Sequence, residues 1–309
     1  MSVVMPANLI LYTDIPLLNQ YRNIPPPNTD VIITSIKRAL SSGESICPIY
    51  IDVLCGQSNF IAHAFTTLGH DLKDVALIYK VQCYGHFVSH ENVFLDELLT
   101  QLGHALHNIG TQYVRLDRLV KYFIHVCVLA NKESIVVIMN DAHNLKGSDY
   151  KVLAEITAKL HADGIQLLLL LVGDTSILQD TFTPNSFQDY GIIPTSSFHI
   201  KTITTKQELM HVLSYYDVVC TNTFFPIAYG EGLRLVEDVG SLADAVRVAF
   251  AAVQHVSSIP SIALEILIQM IETCLKLYGS MGEQQYWPSK EHWLQSLSYT
   301  SYASYIQKI

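Results

Sequence analysis

Residues 134–145 read SIVVIMNDAHNL, an apolar run that ends abruptly in an acidic and polar cluster. A buried strand that ends in two carboxylates can hold a magnesium ion and polarise an attacking water. Here the two positions are Asn140 and Asp141. Asn140 is neutral and does not supply the anionic charge that a hard cation favours. A complete pair would serve metal-assisted attack by water, and here one of its two carboxylates is absent.

A second segment, Val53 to Phe60, reads VLCGQSNF and follows an apolar run. Loops that cradle phosphates read GxxxxGK[ST]. Their backbone donors wrap the phosphates, the lysine reaches the terminal ones and the hydroxyl holds magnesium. Against that pattern Gly56 is the only glycine, and Gly56, Ser58 and Asn59 read as degenerate positions, with Asn59 or a neighbour in the lysine's place. No lysine occurs between Arg38 and Lys73, and Leu54 and Cys55 stand where small or flexible residues are wanted. Asp141, His143 and Asn144 have a plainer role open to them: pairing backbone donors at a strand end.

Other constellations carry less. His104 and His107 have a spacing that can hold a metal on a helix, but no nearby carboxylate or cysteine completes a set. The scattered Cys47, Cys55, Cys83, Cys127, Cys220 and Cys274 form no CxxC pair and read as buried thiols. No GxSxG elbow is present. No metal, cofactor or small-molecule substrate is expected.

The elements that must position these residues alternate. Strands are expected at 49–54, 76–83, 134–139, 165–172 and 198–203. Helices are expected from Asn28 or Thr29 through Leu40, over 60–68, from Ser89 or His90 to about His107, over 113–129 and over 148–161. Strands apolar on both faces, alternating with helices, predict an α/β fold: a parallel five-stranded sheet covered on both sides. Beyond Ile203 the pattern is helical. Thr205–Glu208 and Ser241–Asp244 read as capping boxes, and Pro260 opens a further helix. The expected division is an extended surface arm over 1–27, an α/β domain over 28–203, a helical lid over 204–280 and a C-terminal helix over 281–309.

This order resembles the AAA+ ATPases, especially the TniB and MuB transposition helpers and the ExeA-type secretion ATPases. The resemblance covers roughly Thr29 to Val253 and rests on NDAHNL, on LLLLLVGD and on the spacing of the strands. It implies a sensor role near Asp174 and a second sensor at Arg247, for which an ion pair is the plainer alternative. It also implies an arginine finger after the fourth strand, yet no arginine lies between Arg118 and Arg234. Lysine, magnesium carboxylate and finger are therefore all missing, and a pseudo-ATPase without hydrolysis is expected. The resemblance makes it a scaffold subunit of a larger bacterial machine, a secretion or transport complex being favoured. The alternative is a divergent nucleotide-binding ATPase or a regulator in DNA transposition.

Composition bounds the partners. The formal net charge of -9 argues against a nucleic-acid partner gripped through phosphates. Charged residues are only 15%, so some uncharged surface is expected to meet protein partners. The apolar run 167–172 is too short to span a bilayer, and the N-terminus reads as no signal peptide, so a cytoplasmic location is expected. In the C-terminal segment Trp293, Leu297, Tyr299, Tyr302 and Tyr305 lie at helical spacing. They read either as core against the lid or as a partner-docking face.

Overall fold

A computed structural model describes residues 24–85, 91–105, 109–182, 188, 192, 196–220, 244, 246–247, 250, 261–278 and 290–300. Most of the arm, Ser89, His90, His107, Ser241, Pro260, Gly279, Gly282, Pro288, Tyr302 and Tyr305 lie outside them.

The elements in chain order are α1 (Thr29–Ser41), β1 (Ile46–Ile51), α2 (Gln57–Asp71), β2 (Ala76–Gln82), α3 (Glu91–Gln101), α4 (Gln112–Ala130), β3 (Ser134–Asn140), a 3-10 turn (Ala142–Asn144), α5 (Gly147–Ala162), β4 (Gln166–Asp174), α6 (Thr175–Thr181), β5 (Phe198–Ile200), α7 (Lys206–Cys220), α8 (Leu264–Tyr278) and α9 (Lys290–Ser298). The strands form one five-stranded sheet in the order β2-β3-β4-β1-β5, every pairing parallel. Thus β4 lies between the loop-bearing strand β1 and the strand β3 that ends in Asn140.

Two apolar layers follow from the two-residue period of a strand. Ile135, Val137 and Met139 of β3, with Leu167, Leu169 and Leu171 of β4, join α3, α4 and α5. Val136 and Ile138, with Leu168, Leu170 and Val172, face α1 and α2. A run such as LLLLL therefore buries every side chain, at about 1.5–3 kcal/mol for each large one.

Boundaries differ from expectation where local chemistry intervenes. β1 begins at Ile46 and runs through Pro48, three residues before the expected start. Proline costs no bond to β5 there, because β5 pairs only Ile49–Ile51. α3 ends at Gln101, well before His107, because Gly103 takes a left-handed φ of 74° and the His104 N–H folds back onto the Leu99 carbonyl at 2.9 Å. β5 is only three residues long, and Ile203 instead forms an isolated antiparallel bridge with Ile262. Residues 24–27 are buried, against the expected surface arm. Their carbonyls find partners within the chain: Thr29 Oγ1 donates to Pro26 at 2.6 Å. The Thr205–Glu208 capping box forms as expected, with both reciprocal bonds at 3.0–3.2 Å.

At the sheet edge Gln101 grips β2. Its Oε1 accepts the Gln82 N–H at 2.7 Å and its Nε2 donates to the Gln82 carbonyl at 2.8 Å. Nearby Lys80 is exposed. No helix among the described residues is long and apolar enough to cross a membrane.

Candidate functional site

The strand ends at the carboxyl edge of the sheet bring together Gln57, Gln82, Asn140 and Asp141. β3 stops because Asp141 adopts a left-handed φ of 54°, which turns the chain into the 3-10 turn. Aspartate tolerates that region better than most residues. Gln57 sits at the first position of α2, behind Gly56 at a left-handed φ of 87°.

These four side chains form a closed network. Gln57 Nε2 donates to Asn140 Oδ1 at 2.7 Å and to Asp141 Oδ1 at 2.6 Å. Gln82 Nε2 donates to Asp141 Oδ2 at 2.5 Å, while Asn140 Nδ2 donates to Gln82 Oε1 at 2.5 Å. Each oxygen of Asp141 thus already accepts an amide N–H. Amide donors aimed at a carboxylate occupy the sector from which a cation would approach it. The Cys83 thiol beside this group is pushed up, by burial first and by the Asp141 charge second.

The other expected positions go elsewhere. Ser58 is exposed on α2. Asn59 is buried and donates to the Ile24 carbonyl at 2.8 Å. Asp174 caps α6, accepting from the Ser176 N–H at 2.9 Å and from its hydroxyl at 2.5 Å. The Asp174 N–H donates to His143 Nδ1 at 3.1 Å. Gly173 makes room for that ring, since a Cβ there would stand 3.0 Å from Nδ1. Asn144 donates to the Cys83 carbonyl at 3.1 Å. His143 thus pairs a backbone donor as expected, whereas Asn144 pairs a backbone acceptor and Asp141 accepts side-chain amides. Arg247 lies 3.7 Å from Asp244, which also pairs with Lys206 at 2.7 Å. Trp293 and Leu297 are buried within the chain, the packing alternative, and Tyr299 is exposed. A surface docking role for Trp293 and Leu297 is corrected by that burial, since α9 packs against α8.

A further cluster was not foreseen. Asp52 follows β1, Thr175 follows β4 and His199 lies on β5. His199 Nε2 is 2.7 Å and Thr175 Oγ1 is 2.8 Å from the same Asp52 Oδ1. Both must donate to that oxygen, so the Thr175 hydroxyl, 3.0 Å from Nε2, has no basic nitrogen to activate it. The cluster ties three strand ends and makes no nucleophile. Among the described residues no three His, Cys, Asp or Glu side chains converge as a metal site.

No family model matches this sequence, and no curated protein does. Solved structures match the shape. The ORC2 protein of Aeropyrum pernix in its ADP form aligns with a TM-score of 0.56 at 14% identity, over 89% of this chain and 68% of that one. The same protein in ADPNP–ADP complexes aligns at 0.57 and 13% identity, over 97% and 70%. A chain of Drosophila ORC bound to DNA aligns at 0.52 and 11% identity, over 100% and 72%. At 11–14% identity these likenesses show the fold alone, an AAA+-like α/β arrangement of helices around a parallel five-stranded sheet. Gly56-Gln57-Ser58, between β1 and the body of α2, has the spacing of the Gly-Lys-[Ser/Thr] ending of a phosphate loop. In that spacing the middle position is Gln57, two before Asn59.

Proposed function

We propose that this chain is a catalytically silent AAA+-like subunit that acts by docking in a larger protein assembly. One observation carries the reading. Gln57, placed where a lysine would reach for terminal phosphates, commits its amide to Asn140 and Asp141. An uncharged amide bonded to the strand-end pair supplies neither phosphate charge compensation nor a magnesium carboxylate. The low charged content, 15%, supports protein partners. Purified full chain with ATP and magnesium should release no phosphate above a buffer control. Steady-state release that disappears on Asp141→Ala would refute the reading.

Two settings remain for the assembly. The secretion or transport setting draws on the acidic balance and on the ExeA-like spacing. A DNA-associated setting, transposition included, draws support from the likeness to an ORC chain in a DNA-bound structure. Binding to duplex DNA that weakens steeply with salt selects the second; its absence, with co-purifying membrane-machine subunits, selects the first.

A further inference from the structure

Helix α4 gives one face to the core and leaves the other to solvent. Leu116, Leu119, Val120, Phe123 and Cys127 are buried in the layer that α4 shares with α3 and α5. Val114, Asp117, Lys121, His125 and Val128, spaced three or four apart, share the opposite face. Its ends are apolar and its centre is charged. Val128 and Leu129 are the most exposed large aliphatic side chains among the described residues, at 72% and 73%, and Tyr113 and Val114 are exposed at the other end. Between them Lys121 Nζ lies 2.8 Å from Asp117 one turn back, and His125 is exposed. Apolar groups gathered in water in this way mark contact surfaces.

The order along this face, apolar, acid, base, histidine, apolar, decides what fits it. Val114 and Val128 stand about 21 Å apart along the helix, so a partner must meet two apolar patches across a charged middle. A uniformly apolar surface would bury those charges without partners. A second α4, running antiparallel and centred on Lys121, meets the requirement. Its Val128 opposes Val114 and its His125 opposes Asp117, and two-fold symmetry makes each contact twice. The His125 ring carries an N–H in either protonation state and can donate to that carboxylate. Lys121, at the axis, keeps Asp117 of its own helix and reaches solvent along its stem. A parallel copy would instead set Asp117 against Asp117. We propose that the outer face of α4 is the contact through which two copies of this chain pair, antiparallel, in solution. One helix face from each copy falls at the small end of specific interfaces, below about 1,200 Å², so the dimer is weak and forms at high concentration. The contact lies apart from the strand-end site and does not depend on whether ATP is hydrolysed.

Sedimentation velocity of the full chain across the micromolar range tests this. The sedimentation coefficient should rise with concentration towards that of a dimer. Val128→Glu should weaken association at least about tenfold and keep the melting temperature, since the side chain it replaces is exposed. Asp117→Lys alone and His125→Asp alone should each sediment as monomers. An equimolar mixture of the two should recover the dimer, because both facing pairs are then of opposite charge. Oxidative cross-linking reads the register. Lys121→Cys should link to its own copy at the axis, whereas the two copies of Val114→Cys lie about 21 Å apart and should not link. The described native cysteines are buried and do not compete. Four results would overturn the pairing: a chain still monomeric at the highest concentration, which leaves the face to a different protein; association unchanged by Val128→Glu; a mixture of the charge variants no better than either alone; or cross-linking through Val114→Cys and not through Lys121→Cys.

Discussion

The Asn59 side-chain amide donates to the main-chain carbonyl of Ile24 at 2.8 Å, with Asn59 only 8% exposed. The side chain therefore holds residues 24–26 over the loop and does not face a ligand. Asn59→Ala should cost about 1–3 kcal/mol by leaving that carbonyl unpaired. Asn59→Lys should cost more, because an ammonium would be buried without a counter-charge. Urea midpoints check both; an unchanged midpoint for Asn59→Lys would contradict this placement.

Gly56→Ala should destabilise by about 2–4 kcal/mol, summing left-handed strain and overpacking. The methyl would meet Leu264 Cδ2 at 2.7 Å at a φ of 87°. Leu264→Ala introduced beside it should recover part of the loss, since it removes the colliding atom. Chemical denaturation of the single and double variants measures this coupling.

Gln57→Lys combined with Asn140→Asp restores a lysine and a strand-end carboxylate. ATP turnover should still be absent, because Leu264 continues to cover Gly56 and no arginine lies between Arg118 and Arg234. Phosphate release clearly above the wild-type trace would show that those two side chains were all that was lacking.

The C-terminal helix pair separates packing from docking. Trp293 is fully buried and Tyr299 is 57% exposed. Trp293→Ala should cost about 3–5 kcal/mol. Tyr299→Ala should change stability by no more than about 0.5 kcal/mol. If Tyr299→Ala melts normally yet loses co-purifying proteins, this end of the chain docks them.

Glu265 has a pH signature. Burial, its largest influence, raises its carboxyl above the ordinary value of 4.5, and the nearby Gly56 N–H partly offsets this. The folded state therefore binds its proton more readily than the unfolded chain does. The stability it contributes is complete below pH 4.5 and is lost as pH rises through the folded value. Glu265→Gln carries no such penalty. Its stability should exceed that of wild type at pH 8, with the difference vanishing below pH 4.5. A difference that grows on acidification would reverse the assigned cause.

The sheet was readable from sequence because the interiors of β3 and β4, Ile135–Met139 and Leu167–Val172, are short continuous apolar runs, as parallel strands covered on both faces require. Asn140, Asp141 and Gly56 were legible for a similar reason: each interrupts an apolar run with a residue of distinct backbone or charge preference. The role of Gln57 is not legible, although Gly56 and Ser58 flank it at a phosphate-loop spacing, because a neutral amide shows its bonding only once Asn140 and Asp141, distant in sequence, are adjacent in space. The buried Pro-rich segment misled for the opposite reason. Proline removes donors, which suits a surface arm, but Asn59 and Thr29 bond its carbonyls from α2 and α1 and permit burial. Leu264 and Glu265 could not have been linked to Gly56 by any local pattern.

The double grip of Gln101 on Gln82 limits how this chain can meet others. A carboxamide offers one donor and one acceptor, as a peptide unit does, so α3 supplies β2 with a counterfeit neighbour at its carboxyl end. An incoming strand extending the sheet there would have to displace it and pass exposed Lys80. At the opposite margin β5 offers three residues, Phe198–Ile200, too few for a durable ladder. Backbone pairing with another strand is thus blunted at both margins of the sheet.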